Sequence, residues 1–488
     1  VAGGSPLAPA AAGLLALCLV LAGCGSQLDP ATVAQTGAGG LSGGTVTGAE
    51  GVAADGSIPG TTGGTGSTGT TGSTGTTGGT GGTTGGAGGD TPGGTEGSGG
   101  NAADGGVDAG SCDGFKNSTG ITDKTIVIGN AADISGPVPG LFESSQDAVK
   151  AYVAYFNANS DICGRKLELR TYDSRADAAA DQQNYTKGCD ETFAMVGSMS
   201  AFDSGGAGVA EGCGLPDIRS AAVTADRYAC DTCFGAQSTK ATEFQNAVAD
   251  FVKKNHPSAA GKGAMTYVKA GAASENAAYQ SDALTKRGLK IIYDGGIDVT
   301  EFNYSPYVQQ MKDKGVEYVQ MIASTAQFVR LAQAMKQQGF DPEVFMLDPT
   351  AYNAEFLSSG GSDVEGTTVF INFTPFEEAA SNEEVQLYLN WLQQVKPGAT
   401  PTFFGLFSWS AARLFVQQSI ALGGKLTRAS LVDSLKKVDD WTANGMHAPQ
   451  HVGAKRTGDC WRFLEVKGGK FVPVGGTKYT CSGTTTVG

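Results

Sequence analysis

The sequence is poor in the residues that most enzymes rely on. It holds three histidines, and two of them, His447 and His451, have metal-ligand spacing. Pro449 stands between them and breaks the helix that would align them, so they read as loop residues. Beyond residue 111 there is no Walker-type phosphate loop, no Gly-x-Ser-x-Gly, no Gly-x-Gly-x-x-Gly after a strand and no His-Glu-x-x-His. These absences put enzyme readings last, and no cofactor, metal or covalent step is required. Positive charge is scarce too: the net charge is −14, no basic stripe stands out, and neither Lys nor Arg occurs before Lys116. That balance argues against nucleic acid and leaves a small molecule or a protein as partner.

What is present begins with an uncharged Ala/Leu-rich run over 7–20, followed by Leu21, Ala22, Gly23 and Cys24. A signal h-region ending at small residues has this form, because the peptidase seats small side chains before its cut. The last four residues resemble the bacterial lipobox, which implies a signal peptide over 1–23 and a diacylglyceryl-modified Cys24 on the extracytoplasmic face of the membrane. An uncleaved membrane helix is the alternative, since 7–24 reaches the lower limit of a span. The missing basic n-region departs from the pattern, so either Val1 is an alternative start or the true start lies upstream.

From Gly37 to Gly110 the chain is Gly, Thr, Ser and Ala with almost nothing large. Such a stretch buries too little apolar surface to offset its backbone entropy and is expected to be a flexible linker over 24–111. The roughly 87 residues between Cys24 and Cys112 would have an r.m.s. span on the order of 50 Å.

Ten cysteines are present; Cys18 would leave with the signal and Cys24 would carry lipid, which leaves eight. An even set in an exported domain reads as four disulfides. Chain proximity pairs Cys460 with Cys481 and Cys189 with Cys213. Cys230 and Cys233 have Cys-x-x-Cys spacing, but nothing around them looks like the strand-to-helix opening of a redox site, so a structural disulfide is expected.

Residues 112–488 are too many for one core and suit two lobes. Strands are expected over 126–128, 167–172, 193–197 and 217–222, with a helix over 144–157 after the first of them. The alternation resumes with strands over 264–268, 290–293, 318–323, 344–347 and 367–371, separated by helices over 274–287, 305–314 and 326–338. Strand-helix repetition gives parallel sheets covered on both faces. The last third changes: helices over 383–394, 407–422 and 427–437, the last capped by Thr427, precede a hairpin over 461–474. The fold class is therefore α/β, a two-lobed clamshell whose lobes are each a parallel sheet flanked by helices. Lobe 1 takes 119–239 and 373–437, lobe 2 takes 240–372 and 438–476, and three crossings join them.

Open parallel sheets bind ligands at the carboxyl ends of their strands. Three loops there draw notice: 133–138 with Phe142 beyond it, the hydroxyl-rich 197–204, and 220–224. Ser198 and Ser200 beside a helix N-terminus suit a ligand carboxylate, although ordinary capping accounts for any one loop alone.

The content and order of these loops resemble the type I periplasmic binding proteins of the branched-chain amino-acid (Leu/Ile/Val) class, the substrate-binding subunits of ABC transporters. The resemblance covers about 119–474. Ile134-Ser135-Gly136-Pro137 matches the family's opening, Cys163-Gly164-Arg165-Lys166-Leu167-Glu168-Leu169 its Gly-Arg-Lys turn and second strand, and Val196-Gly197-Ser198 its third strand and serine loop. The resemblance implies that Ser198 or Ser200, with Ala221, Ala222 or Thr224, hold the ligand's carboxylate and ammonium, near Ser135 and Phe142. Lobe 2 departs from the amino-acid pattern: Ala272 stands in a small-residue loop where a Tyr is common, Ser324 replaces an aromatic pair, and the acidic partner of the ammonium is Asp348 or has become Thr350. Phe404, Phe407 and Trp409 lie where the family has an aromatic wall, or are core. Another amino acid, an amide or a small organic acid is equally compatible.

The expected protein is a receptor that closes on a small molecule and presents it to an ABC transporter permease. A sensor built on the same clamshell is the alternative, and a hydrolase on an α/β scaffold is disfavoured by the missing nucleophile motif.

Overall fold

A computed structural model describes residues 108–488 of the protein. The signal peptide expected over 1–23, the expected lipidation at Cys24 and the expected linker up to residue 107 fall outside the described residues. The last linker residues belong to the folded unit: Gly110 N donates to Ile420 O at 3.0 Å, and Gly424 N to Ser111 O at 2.7 Å.

The first sheet is built from β1 (Thr125–Ala132), α1 (Glu143–Asn159), β2 (Lys166–Asp173), α2 (Ala178–Glu191), β3 (Ala194–Val196), α3 (Ala207–Gly212), β4 (Asp217–Ala221), α4 (Ala225–Ala229) and β5 (Cys233–Gln237). Its five strands run parallel in the order β2-β1-β3-β4-β5. β1 is buried at every position after its first, as a strand covered on both faces must be. The edge strand β2 buries Leu167 and exposes Glu168 and Arg170. β5 was not foreseen, because its Cys-Phe-Gly-Ala-Gln run follows directly on the Cys-x-x-Cys turn.

The chain then passes through β6 (Glu243–Gln245) and α5 (Asn246–Asn255) into β7 (Gly263–Val268), α6 (Ala273–Lys286), β8 (Ile291–Ile297), α7 (Ser305–Asp313), β9 (Tyr318–Ile322), α8 (Thr325–Gln337), β10 (Val344–Leu347), α9 (Ala354–Gly360) and β11 (Thr368–Ile371). Strands β8-β7-β9-β10-β11 form the parallel part of a second sheet. α10 (Glu383–Val395), α11 (Phe403–Leu422) and α12 (Arg428–Leu435) return to the first sheet. There Trp409 packs edge-on against Tyr152 of α1 with ring centroids 4.8 Å apart and donates to Glu384 at 2.6 Å. α11 begins four residues earlier than expected, because Thr402 caps it through Gly405 N. Thr427 caps α12 as foreseen.

β12 (Cys460–Val466) and β13 (Phe471–Val474) extend the second sheet as the expected hairpin. The tail beyond was not assigned from sequence. Its β14 (Thr480–Cys481) pairs with β12, and β15 (Thr484–Thr486) pairs with β6. All four disulfides are present: Cys112–Cys163, Cys189–Cys213, Cys230–Cys233 and Cys460–Cys481.

The chain passes between the sheets after β5, after β11 and before β12. The three passages are bonded to one another. Ala448 N donates to Asn372 O at 2.8 Å, and Gln450 Oε1 accepts from Ser238 N at 3.0 Å. His447 supports this junction from inside: its Nε2 meets Ser410 Oγ at 2.8 Å, its Nδ1 meets Ala448 O at 2.9 Å, and its ring stacks on Phe407. Desolvation lowers its pKa from 6.5 to about 4. A histidine with a depressed folded pKa stabilises fully above its unfolded value, and that stability is lost as pH falls through the folded one. The native protein should therefore lose on the order of 3 kcal/mol relative to His447→Gln between pH 6.5 and 4. Urea melts at both pH values check the difference.

Candidate binding cleft

Three buried or half-buried carboxylates shape the carboxyl edge of the first sheet. Asp133, at the end of β1, accepts from Ala176 N at 2.9 Å, Ser200 Oγ at 3.0 Å and Ala201 N at 2.8 Å. Desolvation raises its pKa, offset only in part by those bonds. Asp173, at the end of β2, accepts from Ile134 N, Ser135 N, Arg175 N and Ser135 Oγ, the last at 2.6 Å. Desolvation is outweighed there by the hydrogen bonds, which hold the carboxyl below its ordinary value. Asp203 accepts from Val223 N at 2.9 Å, Thr224 N at 3.2 Å and Thr224 Oγ1 at 2.6 Å.

Behind Asp203 lies a fully buried ionic cluster. Arg219 approaches it at 3.6 Å, and Arg227 Nε donates to its backbone oxygen at 2.7 Å. Arg227 also reaches Asp217 and Asp181, each at 2.9 Å. Burying these charges is tolerable only because each meets an opposite charge or a hydrogen bond.

This scaffolding engages the hydroxyls expected to hold ligand. Ser198 Oγ accepts from Ala131 N at 3.1 Å, Ser200 Oγ is bonded to Asp133, Thr224 caps α4 and donates to Asp203, and Ser135 donates to Asp173. None of the four lines the cleft. What their loops present instead is Met199, Ala201 and Phe202, then Ala221, Ala222 and Val223.

Between the two sheets' loops lies a cavity of about 560 Å³. Of the residues expected at the site, it brings together Phe142, Ala221, Ala222, Ala272, Ser324, Asp348 and Phe404. Phe407 and Trp409 are wholly buried and are core, not cavity wall. Ser324 is held in the capping box of α8, and Asp348 Oδ1 accepts from Thr350 N at 2.8 Å. Desolvation raises the Asp348 carboxyl from 3.8 to about 6, opposed by its bonds to Thr350. Reading along strands missed Phe244, Gln245, Phe403 and Trp461. Gln245 and Phe244 sit on a three-residue strand in a passage between lobes, where no periodicity signals them; Phe403 fell just outside the expected helix.

The two sides of the cleft touch directly. Ala272 N donates to Ala201 O at 3.0 Å, and Asn276 Nδ2 donates to Val223 O at 3.2 Å. Gly271, at φ +53°, allows the approach, since a Cβ there would stand 2.5 Å from Ala201 O.

Residues 125–470 match the family model described as "Periplasmic binding protein". The chain belongs to this family. Its fold is shared with a fatty acid ABC transporter substrate-binding protein from Thermomonospora curvata, at 18% identity and a TM-score of 0.64, with 77% of this chain and 97% of that one covered. It is shared also with LivJ from Streptococcus pneumoniae in complex with isoleucine, at 15% identity, TM-score 0.59 and coverages of 75% and 99%. A solute-binding protein from R. palustris in complex with 4-hydroxybenzoate aligns at 16% identity, TM-score 0.61 and coverages of 73% and 97%. None of the curated proteins matches the sequence.

For this periplasmic binding protein the loop scaffold is open to test. Asp203→Ala would leave Arg219 without one of its buried partners and free the loop that carries Ala222 and Val223. A loss of about 3 kcal/mol or more is expected in denaturant unfolding, with faster amide exchange at Val223 and Thr224.

Proposed function

We propose that the protein is a receptor that captures a small molecule between two lobes and delivers it to an ABC transporter permease. The observation that carries this reading is the cavity at the carboxyl ends of both parallel sheets, with Ala272 and Asn276 on one side bonded to Ala201 and Val223 on the other. A chamber so placed favours closure about the three bonded passages, with lobe 1 over 119–239 and 373–437 and lobe 2 over 240–372 and 438–476. Enclosure removes water, so that the few polar groups of the wall act on ligand in a low dielectric.

The anchor belongs to the same proposal. A lipidated Cys24 and a Gly/Thr-rich spacer would hold the receptor near its transporter on the extracytoplasmic face of the membrane. Among the described residues no helix is long and apolar enough to cross a membrane. Proteins of the same fold bind isoleucine and 4-hydroxybenzoate. An amino acid, an amide or a small organic acid is accordingly the starting range of ligands here.

A thermal-shift screen of the full chain against these classes tests the reading. At least one compound should raise the melting temperature in a saturable way, and Ala222→Phe, which fills the cavity from the first sheet, should remove the shift. A shift unchanged by Ala222→Phe would place binding outside the cleft.

A further inference from the structure

Chain beyond the family-matched residues 125–470 folds back onto a passage between the lobes. The strand it meets, β6 in the first passage, lines the cavity. β6 has three residues, and among the described residues β15 is the sole strand that pairs with it. A two-stranded pair so short does not hold together in water by itself and needs packing or a tether. Both are present.

The packing comes first. Thr485 stands opposite Phe244 in register, Asn246 N donates to Gly483 O at 3.0 Å, and Val487 N to Thr242 O at 2.8 Å. Side chains repeat the tie: Asn246 Nδ2 donates to Ser482 O at 2.8 Å, and Asn246 Oδ1 accepts from Thr485 Oγ1 at 2.6 Å. Val487 is 5% exposed and joins Phe244, Phe370 and Trp461 in one apolar cluster. Those three rings are also cavity wall, with Phe244 edge to face on Phe370 at 6.1 Å and Phe370 on Trp461 at 5.5 Å.

The tether is Cys460–Cys481, which fastens the same tail to the first residue of β12. β12 follows the third passage, and that passage bonds back to β6. Thr457 N donates to Glu243 Oε2 at 3.2 Å, and Thr457 Oγ1 to Glu243 O at 3.0 Å. The tail thus closes a circuit through β6, β15, the disulfide and Thr457. Two of the three passages are locked to one another at their ends nearer the second sheet.

Resting on the receptor reading above, we infer that the tail over 477–488 is a strap that positions the cleft wall: it makes β6 move with the second sheet and keeps Phe244 against Phe370 and Trp461. Bending of the first passage is then left to residues 238–241, between the end of β5 and the outermost bond of the strap at Thr242. Closure turns the aromatic wall as one piece, because the passage that carries Phe244 does not flex on its own.

Hydrogen exchange on the full chain, read peptide by peptide with no ligand added, tests the strap. Val487→Asp sets a charge in the apolar cluster and so releases the tail, whereas Val487→Ile keeps the contact. In Val487→Asp the amides of 242–246 should exchange about tenfold faster or more, the scale of one or two lost backbone hydrogen bonds, while those of β1 and β9 keep their native rates. Val487→Ile should exchange as the native chain does. Cys460→Ser combined with Cys481→Ser removes the tether alone and should give the same local change, which keeps the test valid if Val487→Asp folds poorly. Unchanged exchange over 242–246 in either folded variant would overturn the strap. An equal rise across β7, β9 and β10 would overturn it too, because the tail would then support the whole second sheet rather than the passage. No arm depends on a ligand, so failure of the strap leaves the receptor reading standing, and failure of the ligand screen leaves the strap tested.

Discussion

The carboxylate of Asp203 is the constraint on which the cleft depends. It gathers the backbone of Val223 and Thr224 at one end of the first sheet and is balanced from behind by Arg219, while Arg227 holds the backbone oxygen of the same residue. Asp133 does the same for Ala176 and Ala201, and Asp173 for the loop after β1. Loops at strand ends are ordinarily the mobile part of an α/β sheet. Here they are fastened to buried charge, so the surface they present to the cavity is set by the fold rather than by the ligand.

That fastening decides the chemistry of the wall. The hydroxyls of Ser135, Ser200 and Thr224 are turned inward to satisfy carboxylates and that of Ser198 to a backbone amide, and the side chains their loops leave facing the cavity are mostly apolar. The cleft combines a polar scaffold with an apolar interior, and its few polar contacts come from the second lobe and from the passages between lobes. Gly271 and Ala272 bring the two sides of the cleft together, because the absence of a large side chain lets one loop rest on Ala201.

The architecture was legible because it is written in periodicity. Strands such as β10 and helices such as α12 with its Thr427 cap follow from local residue patterns, and the order of the loops carried the family resemblance. Cys189–Cys213 and Cys460–Cys481 followed from chain proximity. The site was legible only in part. Ala222, Ala272, Asp348 and Phe404 line the cavity, whereas Ser198, Ser200 and Thr224 do not, because a serine beside a helix start looks the same whether it binds ligand or an aspartate 67 residues away. Gln245 was invisible for another reason: its strand exists only by pairing with a tail more than 200 residues later in the chain, as the separation of 239 between Asn246 and Thr485 shows.

The most direct measurement of the central claim is a crystal structure of the protein with a compound that raises its melting temperature. The compound should lie in the cavity, in contact with Ala222 on one side and Ala272 on the other. A compound bound on one lobe alone, or outside the cavity, would contradict the clamshell account.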